Sequence, residues 1–160
     1  MKILILGSGG REHALAWKIS QSNHTKSLYI APGNAGTRAV GTNVQLDILD
    51  FDSISKFIDK NAIEIIVVGP EKPLVEGIAD HLNKKHSKLI VIGPTKGGAQ
   101  LEGSKAFAKE FMNEFDIPTA GYNEFSKYTL PDGIRYIEEK EGPYVLKADG
   151  LAGGKGVLIL

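Results

Sequence analysis

Four short apolar runs alternate with amphipathic segments along the first hundred residues. Each run is flanked by glycine, proline or charged residues, and together they cover residues 3–6, 28–31, 63–68 and 89–92. Runs of this length are typical of buried strands in a parallel sheet. Because parallel strands need crossover helices, the alternation predicts an α/β fold with both faces of the sheet covered.

The segments between the runs carry apolar residues at helical spacing. They predict a helix over His13–Ser20, a second helix with Asp52 or Ser53 as its N-cap, and a single third helix over Leu74–Leu82. Ligands of such sheets bind beyond the carboxyl ends of the strands. The glycine- and proline-rich loops that follow the four runs are therefore expected to meet at one rim.

The pattern changes after Gly98, which predicts a domain boundary near residues 98–120. Phenylalanines 107, 111 and 115 are spaced four apart and indicate a helix that Pro118 ends. Beyond it we expect a short helix at 131–140, a strand at 142–148 and a mobile glycine-rich loop. The last strand, at 157–160, is expected to lack its partner strand.

Composition excludes several classes of function. The chain of 160 residues has 19 basic and 19 acidic side chains, so it lacks the basic footprint of a nucleic-acid-binding protein. It contains no cysteine, which excludes disulfides and thiolate metal sites and favours a cytoplasmic location. No apolar window approaches the ~18 residues of a membrane span, so no membrane partner is expected.

The first glycine loop only half matches a dinucleotide-binding turn. Gly7 and Gly9 fit the start of G-x-G-x-x-G, but Glu12 stands where the third glycine belongs. The second predicted strand also ends in "YIAPGNAG", without the acidic residue that holds a ribose diol. These departures disfavour a nicotinamide or flavin cofactor.

A site for a single phosphate remains. The backbone N–H groups of Ser8, Gly9 and Gly10 lie at a predicted helix N-terminus, and Arg11 is beside them. The alternative is a tight turn with a solvated arginine. Glu71 follows another strand at the same rim, where it holds a sugar hydroxyl or a substrate amine, or else acts only as a favourable charge at a helix N-terminus.

A second glycine loop follows a strand lysine. Lys147 precedes Gly153, Gly154, Lys155 and Gly156, and the glycine after Lys155 excludes a Walker P-loop, which needs serine or threonine there. A lysine fixed on a strand beside a mobile glycine loop is a phosphate-binding arrangement. A plain flexible hairpin is the alternative.

Five stretches carry a family resemblance. "GSGGREHALAW", "APGNAGT", "VVGPEKPLVEG", "GPTKGGAQLEGSKAFAKEFM" and "YVLKADGLAGGKGV" resemble, in family order, the N-terminal part of the phosphoribosylamine–glycine ligases of purine biosynthesis, which are ATP-grasp enzymes. In that family ATP phosphorylates the glycine carboxylate, and the amine of phosphoribosylamine attacks the acyl phosphate. The resemblance implies that the opening loop holds the 5′-phosphate of phosphoribosylamine.

The resemblance also implies roles for particular residues. Lys105 and Lys147 would contact ATP, with Lys147 catalytic. The lid over the ATP phosphates would be formed by Gly153, Gly154, Lys155 and Gly156. The phosphosugar would be held by Ser8, Gly9, Gly10, Arg11, Asn34 and Glu71. The ligands for Mg²⁺ or Mn²⁺ are expected beyond residue 160, so that this chain alone would be inactive.

The expected organisation follows from the pattern and the resemblance together. Residues 1–100 are expected to form a Rossmann-like parallel-sheet domain that binds the phosphosugar, and residues 101–119 a connecting helical segment. Residues 120–160 would begin an ATP-grasp α+β subdomain. Two other functions stay open on sequence alone, namely a dinucleotide-dependent oxidoreductase domain and a non-catalytic phosphosugar-binding module.

Overall fold

The computed structural model describes residues 1–140 and 142–160. The chain divides into two compact units, Met1–Ala99 and Gln100–Leu160. The helix that spans Lys96–Gly103 contains the boundary between them. None of the helices in the described ranges has the length and apolar character that a bilayer crossing requires.

The first unit contains a five-stranded sheet in which every neighbouring pair is parallel. The strands are β1 (Lys2–Gly7), β2 (Ser27–Pro32), β3 (Thr42–Asn43), β4 (Ile65–Val68) and β5 (Ile90–Ile92). Their spatial order is β3-β2-β1-β4-β5. The predicted parallel α/β fold and its four strands are confirmed, while the two-residue edge strand β3 was not predicted.

Alternate residues of β1 enter two different cores. Leu4 and Leu6 pack in a cluster with side chains of the helices on one face, whereas Ile3 and Ile5 pack with Ala16 on the other. This alternation is the period of a strand, and it shows that both faces of the sheet are covered. The helices of this unit are α1 (Gly10–Ser20), α2 (Phe51–Asn61), α3 (Glu71–Glu76) and α4 (Ile78–Lys85), and α5 (Lys96–Gly103) begins in it and ends in the second unit.

The predicted N-cap of the second helix is wrong. Asp50 caps α2, because its carboxylate accepts the backbone N–H of Ser53 at 3.0 Å and the Ser53 hydroxyl at 2.6 Å. Asp52 lies in the first turn instead, with its carboxylate 2.5 Å from Nζ of Lys85 on α4. The carboxylate two residues upstream satisfies the free N–H group of the first turn.

The predicted single helix over Leu74–Leu82 is also wrong. Gly77 adopts a left-handed backbone with φ of +97°, which ends α3 and separates it from α4. Leu74 before the break and Ile78 and Leu82 after it are buried in the same core. The apolar spacing of one helix therefore persists across two, because a single glycine absorbs the change of direction.

After α5, the described residues of the second unit form two helices and a hairpin, which are α6 (Lys105–Glu114), α7 (Leu130–Glu138), β6 (Val145–Lys147) and β7 (Val157–Ile159). Helix α6 ends at Glu114 and not at Pro118, because Asp116 already has a left-handed φ of +52°. The strands β6 and β7 pair antiparallel, with Leu146 opposite Leu158. The expectation that the last strand lacks a partner is therefore wrong.

Candidate functional site

The carboxyl ends of β1, β2 and β4 meet at one edge of the first unit. The loops that follow these strands border a cavity of about 480 Å³, which is within the usual size range of small-molecule sites. Its lining residues are Gly7, Ser8, Gly9, Glu12, Pro32, Leu46, Asp47, Ile48 and Pro70.

Arg11 and Glu71 form an ion pair at this rim. The Arg11 Nη1 atom lies 3.1 Å from Glu71 Oε1 and donates to the Gly69 carbonyl oxygen at 3.0 Å. The pKa of Glu71 is lowered, first by its own backbone N–H and then by the Arg11 hydrogen bond. Both side chains are exposed, so the pair stabilises the fold by only about 0–1 kcal/mol and can open to a ligand.

Asn34 ties the loop after β2 to the first glycine turn. Its Nδ2 donates to the carbonyl oxygen of Ser8 at 2.9 Å, and its Oδ1 accepts the N–H groups of Gly36 at 2.8 Å and Thr37 at 3.0 Å. The fully buried Thr37 hydroxyl lies 2.7 Å from Oδ1 of Asn43 on β3. Asn34 is therefore held in place as part of the rim.

One donor of the predicted phosphate turn is already engaged. The N–H of Gly9 donates to Oε2 of Glu12 at 2.7 Å, and Glu12 is only 6% exposed. Sequence reasoning read Glu12 as a departure from a motif and missed this bond. The signal was available, since a glutamate three residues after an N-cap is the acceptor half of a capping box.

In the second unit, Asp149 binds the start of α6. Its Oδ1 accepts the N–H of Lys105 at 2.7 Å, the N–H of Ala106 at 3.3 Å and the Ser104 hydroxyl at 3.2 Å. In the same place Nζ of Lys105 donates to the Gly150 carbonyl oxygen at 2.8 Å. These bonds, which we call the Asp149 clamp, fix the loop after β6 to the residue that sequence resemblance assigns to ATP.

The clamp changes the acidity of Asp149. Partial burial acts to raise the pKa of its carboxyl group, but the hydrogen bonds from the backbone of Ala106, Gly150 and Lys105 and from the Ser104 hydroxyl outweigh it and lower the pKa. Four donors aimed at one carboxylate stabilise its charged form. Sequence reasoning missed Asp149, whose one signal was its place directly after a strand.

Lys147 lies exposed on β6, and the second glycine loop connects β6 to β7. Gly153 and Gly154 have left-handed φ values of +55° and +77°, and among the described residues only the glycine itself and its chain neighbours have atoms within 4 Å of the place where a Cβ would stand on either. An open glycine backbone beside an exposed lysine fits the approach of a polyphosphate.

The remaining loop residues close the hairpin. The N–H of Lys155 donates to the carbonyl oxygen of Ala152 at 3.0 Å, and the N–H of Ala148 donates to that of Gly156 at 2.8 Å. A Cβ on Gly156 would stand 2.6 Å from the Cβ of Ala152, so this glycine serves packing within the loop. Across residues 1–140 and 142–160, no group of three or more His, Asp or Glu side chains is placed to hold a metal ion.

Family comparisons cover the whole chain. Residues 1–102 match the description "Phosphoribosylglycinamide synthetase, N domain", and residues 103–160 match "Phosphoribosylglycinamide synthetase, ATP-grasp (A) domain". The chain is 48% identical over 161 aligned positions to phosphoribosylamine–glycine ligases of Pseudomonas putida and Vibrio cholerae. Each alignment covers 99% of this chain but only 36% and 37% of the relative, respectively, so the chain spans little more than a third of their length.

Solved structures agree with this assignment. The phosphoribosylamine–glycine ligase of Thermotoga maritima is 38% identical with a TM-score of 0.74, and the match covers 100% of this chain and 36% of that one. The biotin carboxylase domain of Hydrogenobacter thermophilus 2-oxoglutarate carboxylase, solved with MgADP, has a TM-score of 0.72 over 99% of this chain and 37% of its own. At 20% identity, that second likeness shows the fold alone.

Proposed function

Since the chain belongs to the phosphoribosylglycinamide synthetase family, we propose that it forms the phosphosugar-binding unit and the first part of the ATP-binding unit of a phosphoribosylamine–glycine ligase. The complete reaction joins glycine to 5-phosphoribosylamine in purine biosynthesis and yields glycinamide ribonucleotide, ADP and phosphate. A glycine carboxylate oxygen attacks the γ-phosphorus of ATP, and ADP leaves. The amine nitrogen then attacks the acyl carbon of glycyl phosphate, loses a proton and releases phosphate.

The observation that carries the proposal is the convergence of three polar side chains at one rim. Arg11, Asn34 and Glu71 follow three different strands and lie around the first glycine turn, beside the cavity. Arg11 supplies a guanidinium for the 5′-phosphate, together with the N–H groups of Ser8 and Gly10. Glu71 supplies a carboxylate whose lowered pKa keeps it ready to accept sugar hydroxyls.

The ATP side of the proposal depends on the second unit. The ammonium groups of Lys105 and Lys147 neutralise phosphate charge, and that of Lys147 does so as the γ-phosphoryl group is transferred. The open glycines of the hairpin loop let its backbone approach the phosphates. We propose that a divalent ion, magnesium or manganese, accompanies ATP, in keeping with the MgADP bound to the carboxylase of like fold.

Calorimetric titration of this chain with glycinamide ribonucleotide, ATP and NAD⁺, each alone, tests the function. We expect glycinamide ribonucleotide to bind and NAD⁺ to bind far more weakly, because Glu12 fills the dinucleotide turn. Tighter binding of NAD⁺ than of glycinamide ribonucleotide would favour an oxidoreductase domain. A complete protein that binds glycinamide ribonucleotide but releases no ADP in response to glycine would be a non-catalytic module.

A further inference from the structure

Glu12 is a buried carboxylate that forms no ion pair with a lysine, arginine or histidine of residues 1–140 and 142–160. Only 6% of the residue is exposed, and among the described residues the one hydrogen-bond donor to its carboxylate is the N–H of Gly9, at 2.7 Å. The neighbouring arginine, Arg11, pairs with Glu71 instead. A carboxylate this little exposed at the edge of a cavity calls for an explanation.

Three glycines from two loops make room for this one side chain. A Cβ on Gly7 would stand 2.6 Å from Cδ of Glu12, and one on Gly69 would stand 2.7 Å from it. A Cβ on Gly9 would stand 2.9 Å from Oε2. The loops after β1 and β4 are therefore both shaped around the Glu12 carboxylate, which fixes its place at the edge of the cavity.

Glu12 stands where a dinucleotide-binding turn has its third glycine. In a dinucleotide-binding turn the third glycine allows close packing of helix on strand, and the second glycine lets the backbone approach two linked phosphates at the helix N-terminus. Here Gly9 is that second glycine, and its N–H already donates to the Glu12 carboxylate at the edge of the cavity. A second phosphate at this point would lack the Gly9 donor and lie beside a like charge.

We propose that Glu12 is the specificity-determining residue of this cavity, and that its carboxylate restricts the turn to ligands with a single phosphate by excluding two linked phosphates. This inference rests on the proposed phosphosugar function. It deepens that function, because it names the residue that separates a sugar monophosphate from a dinucleotide on a fold common to both.

The test compares ribose 5-phosphate, which has one phosphate, with ADP-ribose, which has two linked phosphates, by calorimetry on the full chain. Glu12→Gln preserves the shape and an acceptor for the Gly9 N–H but removes the charge. We expect it to tighten ADP-ribose binding at least tenfold while changing ribose 5-phosphate binding less than threefold. Asp50→Asn, which neutralises the capping carboxylate of α2 outside the cavity lining, should leave the ratio of the two affinities unchanged.

If Glu12→Gln leaves the ratio of the affinities for ADP-ribose and ribose 5-phosphate unchanged, the inference is overturned, and the role of Glu12 is only to cap the helix. Glu12→Ala, a second neutral variant, gives the same comparison if the glutamine variant does not fold. If the unsubstituted chain binds neither ligand, the phosphosugar function fails. In that case, ADP-ribose binding that appears in the Glu12 variants would still support the role of Glu12 in excluding linked phosphates. If the Glu12 variants also fail to bind ADP-ribose, the inference about Glu12 is overturned together with the phosphosugar function.

Discussion

Loss of the Arg11 side chain should weaken the binding of one ligand and leave the binding of the other unchanged. We expect Arg11→Ala to weaken phosphosugar binding roughly tenfold or more, because a charge-assisted hydrogen bond contributes about 1.5–3 kcal/mol. The affinity for ATP should stay the same, since we propose that Arg11 and the hairpin loop bind different ligands. Calorimetry with both ligands measures this, and Arg135→Ala, which removes another exposed paired arginine, is the control. Equal loss of both affinities would show that the two sites are one.

Lys147 should affect chemistry without affecting folding. We expect Lys147→Met in the complete enzyme to lower turnover by roughly 10²-fold or more, as the loss of one preorganised charge at a transition state does. Its exposure on β6 means that the melting temperature should barely move. Glycine-dependent ADP release measures turnover, and Lys127→Met, an exposed lysine beside Tyr128, is the control. Near-native turnover would remove Lys147 from the mechanism.

The sequence predicted where Arg11, Asn34 and Glu71 lie, because each follows the carboxyl end of an apolar run and such ends share an edge. It did not predict their partners. The Arg11–Glu71 bond joins residues 60 positions apart, and the clamp joins Asp149 to Lys105 across 44. Contacts at such separations depend on how loops close, which no local pattern encodes.

The start of α6 and the loop after β6 should lose their connection in acid. Because the folded pKa of Asp149 lies below its ordinary value of 3.8, its contribution to stability is complete above that value and lost as the pH falls through the lowered pKa. We therefore expect Asp149→Asn to destabilise the second unit near neutral pH, with the difference from the unsubstituted chain shrinking below about pH 4.

Urea unfolding followed by circular dichroism at several pH values measures that difference. Asp132→Asn in the first turn of α7 is the matched control, since its carboxylate pairs with the side chain of Arg135, whereas that of Asp149 accepts backbone N–H groups. A difference that stays constant from neutral pH to pH 3 would mean that the clamp does not depend on the charge of Asp149.

Helices and strands could be predicted from the sequence where the spacing of apolar residues determines them. They could not be predicted where the backbone angle of a single residue ends a helix. The four predicted strands are short apolar runs, interrupted in one case by Glu64, and the structure contains all of them. The break at Gly77 and the early end of α6 at Glu114 each depend on one residue with positive φ, which apolar spacing does not reveal. The edge strand Thr42–Asn43 is too short to show any alternation.

For the molecule as a whole, we expect the phosphosugar to stabilise the first unit. A ligand that binds only the folded state adds about 2.7 kcal/mol at a hundredfold excess over its Kd. Glycinamide ribonucleotide should therefore raise the melting temperature of this chain by several degrees. Ribose without its phosphate is the control and should have little effect. An equal shift with both sugars would mean that the phosphate is not recognised.

The central place of β1 has a consequence for amide isotope exchange. Its backbone is hydrogen-bonded to β2 on one side and β4 on the other, and Leu4, Ile5 and Leu6 are fully buried. Their amide protons should exchange with deuterium only when the whole unit opens, and thus slowest of all. The first glycine turn continues directly from this strand, so the groups that we propose to bind the phosphate are attached to the part of the unit that opens least often.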